Sequence, residues 1–178
     1  VIFLGNSITE AGDWKKLTGD TTAVNRGIGG EITFSLLKRI PDITALRPSQ
    51  IFLMIGINDI GKDIPPAVIA HNIGLIIGRI QAESPGTVII LQNILPVNPT
   101  VPGFPQHYDK NDKVTATNKL LPKIAAEHKI PLVDLNRLFR DKNGYLRQAL
   151  TKDGLHLDPN GEGYAIWIRQ LKQLGYLQ

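Results

Sequence analysis

Short apolar runs recur along the chain at Val1–Leu4, Gln50–Met54, Val88–Leu91 and Pro131–Leu135, with a weaker one at Ala23–Asn25. They are rich in Val, Ile and Leu and do not alternate with polar residues. That is the pattern of strands covered on both faces, as in a parallel sheet. Between them the apolar period lengthens to that of a helix. Ile69, Ile73, Ile76, Ile77 and Ile80 form one stripe, entered through Pro65-Pro66 and ended by Ser84-Pro85-Gly86. Val114, Leu121, Ile124 and Ala125 stripe a second helix, with Asp109 or Asp112 as its expected cap and Pro122 predicting a kink or break. Tyr164, Ile168 and Leu171 stripe the last, entered through Asp158-Pro159. A shorter helix carries Phe34, Leu37 and Ile40 and is expected to stop at Pro41.

Strands alternating with helices imply βαβ units and a three-layer α/β sandwich. At 178 residues, with no internal repeat or linker, one domain over 1–178 is expected. Asn93–Tyr108 breaks the rhythm, with prolines at 96, 99, 102 and 105. It follows a strand end, where α/β proteins place ligands, and reads as a rim or lid.

Composition narrows the chemistry. No apolar run approaches the ~20 residues of a membrane span. The chain lacks Cys, which excludes disulfides, cysteine nucleophiles and thiolate zinc sites. The net charge of +4 comes from scattered Lys and Arg, which reads as a solvated surface rather than a nucleic-acid footprint. The chain opens on Val1 inside an apolar run, so a missing leader, and with it export of a soluble protein, stays open.

Four polar features follow strands or sit in loops. Ser7 comes directly after the first strand in Leu4-Gly5-Asn6-Ser7, where Gly5 permits a sharp turn. The other serines are less well placed: Ser35 lies in a helix, Ser49 precedes a strand and Ser84 ends a helix. Asp153-Gly154-Leu155-His156 spaces a carboxylate and an imidazole so that one can accept a hydrogen bond from Nδ1 of the other. Gly27-Ile28-Gly29-Gly30 leaves backbone N–H groups bare, able to face an anion. It lacks the third glycine of a dinucleotide fingerprint, because that position is Ile32. Asn58, in Gly56-Ile57-Asn58-Asp59, can donate its amide to a developing oxyanion. Each feature alone is also an ordinary turn. His71 and His128 read as helix-surface residues, and His107 lies in the long loop.

Taken in this order, the four blocks resemble the GDSL/SGNH hydrolase superfamily, and Asn25-Arg26-Gly27-Ile28-Gly29-Gly30 looks most like its platelet-activating-factor-acetylhydrolase-like branch. The resemblance implies a flavodoxin-like sandwich with five parallel strands, and ester hydrolysis without metal or other cofactor. By position it assigns Ser7 as nucleophile and Asp153 and His156 as the rest of a triad. It makes the oxyanion hole from the Ser7 and Gly30 N–H groups and the Asn58 side chain. Two positions depart from the family: Asn6 and Glu31 stand where it usually has Asp. The expected substrate is a small ester with a short acyl group, acetyl above all, on a carbohydrate or lipid-like alcohol, because no long hydrophobic loop is present. A lysophospholipase or thioesterase is the nearest alternative, and a non-catalytic binding module a more distant one. Asn6, Trp14 and Tyr108 are candidate substrate contacts, the two aromatic residues as a stacking surface.

Overall fold

The computed structural model describes residues 1–178. Five strands, β1 (Ile2–Gly5), β2 (Val24–Gly27), β3 (Gln50–Met54), β4 (Val88–Gln92) and β5 (Leu132–Val133), form one parallel sheet in the order β2-β1-β3-β4-β5. The helices are α1 (Ser7–Glu10), α2 (Trp14–Thr18), α3 (Thr33–Lys38), α4 (Ile40–Thr44), α5 (Ile57–Gly61), α6 (Pro66–Glu83), α7 (Asn111–Asn118), α8 (Leu121–His128), α9 (Asn136–Phe139) and α10 (Gly163–Gln173). Right-handed crossovers place α3 to α8 on one face of this sheet and α1 and α2 on the other. The contacts agree: α3, α4, α7 and α8 pack on α6, while α10 packs on α2.

The strand order reverses direction between β1 and β3, and a crevice opens there at the carboxyl ends of the strands. Gly5 and Met54 pair at that end of the ladder. Ser7 follows one strand and Asn58 the other, so the topology alone delivers both to the same crevice. A single core of 41 buried residues runs beneath them.

Several local expectations change. β5 has two residues rather than five, and β2 starts one residue later and runs on to Gly27, which brings the glycine turn to the crevice. Pro41 does not stop a helix but sits in the first turn of α4, where its missing N–H costs nothing. Phe34 is exposed and Leu36 takes its place in the core. The helix expected to kink at Pro122 is two helices, with Pro122 in the first turn of α8. Lys110, not Asp109 or Asp112, occupies the N-cap of α7, with no side-chain cap bond.

Trp14 is 1% exposed. Its ring stacks on Phe3 at 3.9 Å, meets Trp167 edge-on at 5.1 Å, and donates Nε1–H to the Thr9 carbonyl at 2.8 Å. It bridges β1 and α10. Trp14→Ala should lower the unfolding free energy by about 3–5 kcal/mol through the cavity left behind, read as a shift in denaturant midpoint. The Michaelis constant of the folded fraction should not change.

Candidate active site

Ser7 is the first residue of α1, directly past the tight turn that ends β1. A methyl group at Gly5 would sit 2.3 Å from the Met54 carbonyl, so the chain can approach β3 only with glycine there. Asn6 caps α1: it is 2% exposed and its Oδ1 accepts the Ile8 N–H at 3.0 Å. As the first residue of the helix, Ser7 keeps its own N–H without an intrahelical partner.

The Ser7 hydroxyl lies 2.8 Å from Nε2 of His156. On the other side of the ring, Nδ1 lies 2.8 Å from Asp153 Oδ2. The Asp153 bond fixes the proton on Nδ1 and leaves Nε2 free to accept from Ser7. Asp153 is itself held by the short loop it starts, because Oδ1 accepts the N–H groups of Leu155 at 2.9 Å and His156 at 2.8 Å. Burial disfavours its charge, but these bonds and the imidazole outweigh it, so the carboxyl stays below the ordinary aspartate value. Gly154 makes the loop possible. Its φ is +78°, and a methyl there would lie 2.4 Å from the Asn98 carbonyl.

Across the crevice, Gly30 turns with φ +72° and its N–H has no acceptor in the protein. Asn58 donates one amide hydrogen to the Glu31 carbonyl at 3.0 Å and keeps the other for the cleft. The next residue, Asp59, is fully buried and accepts both the N–H (3.0 Å) and the hydroxyl (2.6 Å) of Thr33. Burial raises its pKa against the effect of those bonds. Together Asn58 and Asp59 clamp the glycine turn onto α5, which sets Gly30 and Asn58 on one wall. Glu31 is accommodated by its length: it forms a bidentate pair with Arg39, whose Nε donates to Oε1 at 2.7 Å and whose Nη2 donates to Oε2 and, at 2.8 Å, to the Arg26 carbonyl.

These groups surround a cleft of about 530 Å³ that Ser7, Gly30, Asn58 and His156 line together. Its remaining walls include Lys62, Phe104, Gln106 and Leu155, none of which stood out in the sequence. Only Phe104 and Leu155 are apolar. Three candidate substrate contacts are corrected. Trp14 is inside the core, so no substrate reaches its face. Asn6 is buried and committed to its cap. Tyr108 turns its hydroxyl to accept the Gly103 N–H at 2.7 Å, bracing the loop instead of lining the cleft.

The long loop is a packed rim. Asn118 both accepts from and donates to the Ile94 backbone, at 2.9 and 2.8 Å. Asn111 does the same for Val97, at 3.0 and 2.8 Å. The Asn98 N–H reaches the Gly154 carbonyl at 2.7 Å, tying the rim to the loop that carries Asp153 and His156.

A crevice at the switch point of a parallel sheet, with a serine, an imidazole and a carboxylate in one hydrogen-bonded line, defines a hydrolase of the α/β class, and comparison with known proteins makes it one that acts on esters. The sequence profile of the GDSL-like Lipase/Acylhydrolase family matches residues 3–166, and the chain belongs to that family. It is 29% identical over 181 residues to platelet-activating factor acetylhydrolase IB subunit alpha2 of Rattus norvegicus, covering 98% of this chain and 75% of that one. It is 26% identical to an arylesterase of Vibrio mimicus, over 85% of this chain and 68% of that one. Among solved structures, a provisionally named platelet activating factor from Streptococcus pneumonia superposes with a TM-score of 0.85 at 34% identity, covering 97% of this chain and 82% of that one. A GDSL-like lipase from Bacteroides thetaiotaomicron gives 0.82 at 27%, covering 97% and 85%. No helix is long and apolar enough to cross a membrane.

Proposed function

We propose that this hydrolase cleaves short-chain O-esters, acetyl esters above all, through an acyl-enzyme on Ser7. His156 takes the Ser7 proton as Oγ attacks the ester carbonyl. Asp153 keeps the imidazole in the tautomer that can accept it and stabilises the imidazolium that forms. The carbonyl oxygen, now negative, is received by the Ser7 and Gly30 N–H groups and the Asn58 amide. The intermediate collapses as His156 returns the proton to the leaving alcohol. Water, activated by the same imidazole, then releases the acid and restores Ser7.

The observation that carries this reading is the unbroken line from Ser7 Oγ to His156 to Asp153, at 2.8 Å per step, on the wall facing Gly30 and Asn58. The short acyl group is supported by the cleft: two apolar side chains give a long hydrocarbon tail little surface on which to gain transfer energy. The acetylhydrolase name of one relative points the same way. The polar remainder of the cleft suits a hydroxylated alcohol such as a sugar, with a lipid-like alcohol as the other option.

The test is hydrolysis of p-nitrophenyl acetate, butyrate and octanoate. The value of kcat/KM should fall from acetate to octanoate by about tenfold or more, since a longer chain can be seated only by covering polar groups of the cleft wall and stripping them of water. A rise along that series would replace the short-chain reading with the lysophospholipase or thioesterase alternative.

A further inference from the structure

Phe104 stands near the end of the rim segment, half-buried on the cleft wall. Its ring meets that of His156 with centroids 4.9 Å apart and planes at 74°, an edge-to-face contact. On its other side lies His107, at 6.3 Å and 73°. One aromatic ring is therefore held between two imidazoles.

The segment carrying it is seated at both ends. His107 is 4% exposed and packs into a notch at Gly61, where a methyl group would lie 2.4 Å from its Nε2. Neither ring nitrogen has a hydrogen-bond partner with proper geometry. Burial lowers its pKa against the opposing pull of the Ile57 backbone, and the neighbouring His156 and Lys110 add to the lowering. At the other end, a methyl on Gly103 would lie 2.5 Å from the Asp153 carbonyl, so the rim presses directly on the loop of the triad.

The imidazole of His156 is held at Nδ1 by Asp153 and at Nε2 by Ser7, but two hydrogen bonds at opposite ring atoms fix an axis and not a plane. The ring can still roll about that axis and turn the Nε2 lone pair off the line to the Ser7 hydroxyl. The one ring packed edge-to-face on it is Phe104, which comes from the rim and not from the loop that carries Asp153 and His156. We infer that Phe104 is a positioning residue that holds the plane of His156 in line between Ser7 and Asp153. This inference rests on the reading of His156 as the base.

The experiment is a double-mutant cycle of Phe104→Ala and His156→Ala, assayed on p-nitrophenyl acetate, with thermal midpoints recorded. Phe104→Ala should lower kcat about tenfold, the size of one lost aromatic contact to the base, and by more than it raises KM through the loss of one of the two apolar side chains of the cleft. Phe104→Tyr should restore the wild-type rate, and Phe104→Leu, which keeps bulk if the alanine variant fails to fold, should fall between. In the His156→Ala background the same change should alter the residual rate by less than about twofold. An equal loss in both backgrounds, an effect on KM alone, or no loss at all overturns the inference. Wild-type activity in His156→Ala would instead overturn the underlying reading of the base.

Discussion

Ser7→Ala should lower kcat by about 10⁴-fold or more while leaving the protein folded. The Ser7 hydroxyl has one partner, Nε2 of His156. The turn that presents it is held by other groups, the Asn6 cap on Ile8 and the close approach of Gly5 to Met54. Removing Oγ therefore deletes the proposed nucleophile without loosening its support. The unfolding free energy should change by no more than about 1 kcal/mol, the usual worth of one hydrogen bond. What survives is the acceleration a bound ester gains from the backbone N–H groups at positions 7 and 30 and the Asn58 amide.

Asp153→Asn should be nearly as damaging, by about 10⁴-fold in kcat, for a different reason. If the asparagine oxygen keeps the Leu155 and His156 N–H groups, its NH₂ faces Nδ1. That nitrogen must then accept, the ring proton moves to Nε2, and His156 can no longer take the proton of Ser7. KM should change little, because no atom of Asp153 lines the cleft. The same variant tests a stability effect. The folded carboxyl sits below its ordinary value, so its contribution to stability is fully present above the unfolded-state value, near 3.9. It is lost as pH falls through the lower folded value. Asp153→Asn should flatten that part of the acid unfolding curve, measured by circular dichroism.

The parts of this site that could be read from sequence are those the chain places by local rules. Ser7, Gly30 and Asn58 each sit just past the end of a parallel strand, and parallel strands in a sandwich end on the same side. Asp153 and His156 are three residues apart, close enough for a single loop to pair them. The Ile69–Ile80 stripe predicts α6 because 3.6-residue periodicity is a strong signal over many turns. What depends on the direction of a side chain was not legible. Trp14 and Asn6 lie near the nucleophile in sequence, but one points into the core and the other back at its own helix. Phe104 lies 52 positions from its partner His156, a pairing that no periodicity encodes. The available hint was the density of proline around it, which marked the segment as a rim or lid but not which ring would face inward. Pro41 and Pro122 show the same limit: each marks a helix boundary, but which side of it depends on packing.

The central claim is that Ser7 carries the acyl group. It is tested most directly by rapidly quenching the enzyme with p-nitrophenyl acetate and determining the mass of the peptide that contains Ser7. One acetyl group on that serine, formed within the burst of p-nitrophenol release and absent from Ser7→Ala, is the predicted result. A burst of equal size in Ser7→Ala, or an acetyl group found on another residue while Ser7 stays unmodified, would contradict it.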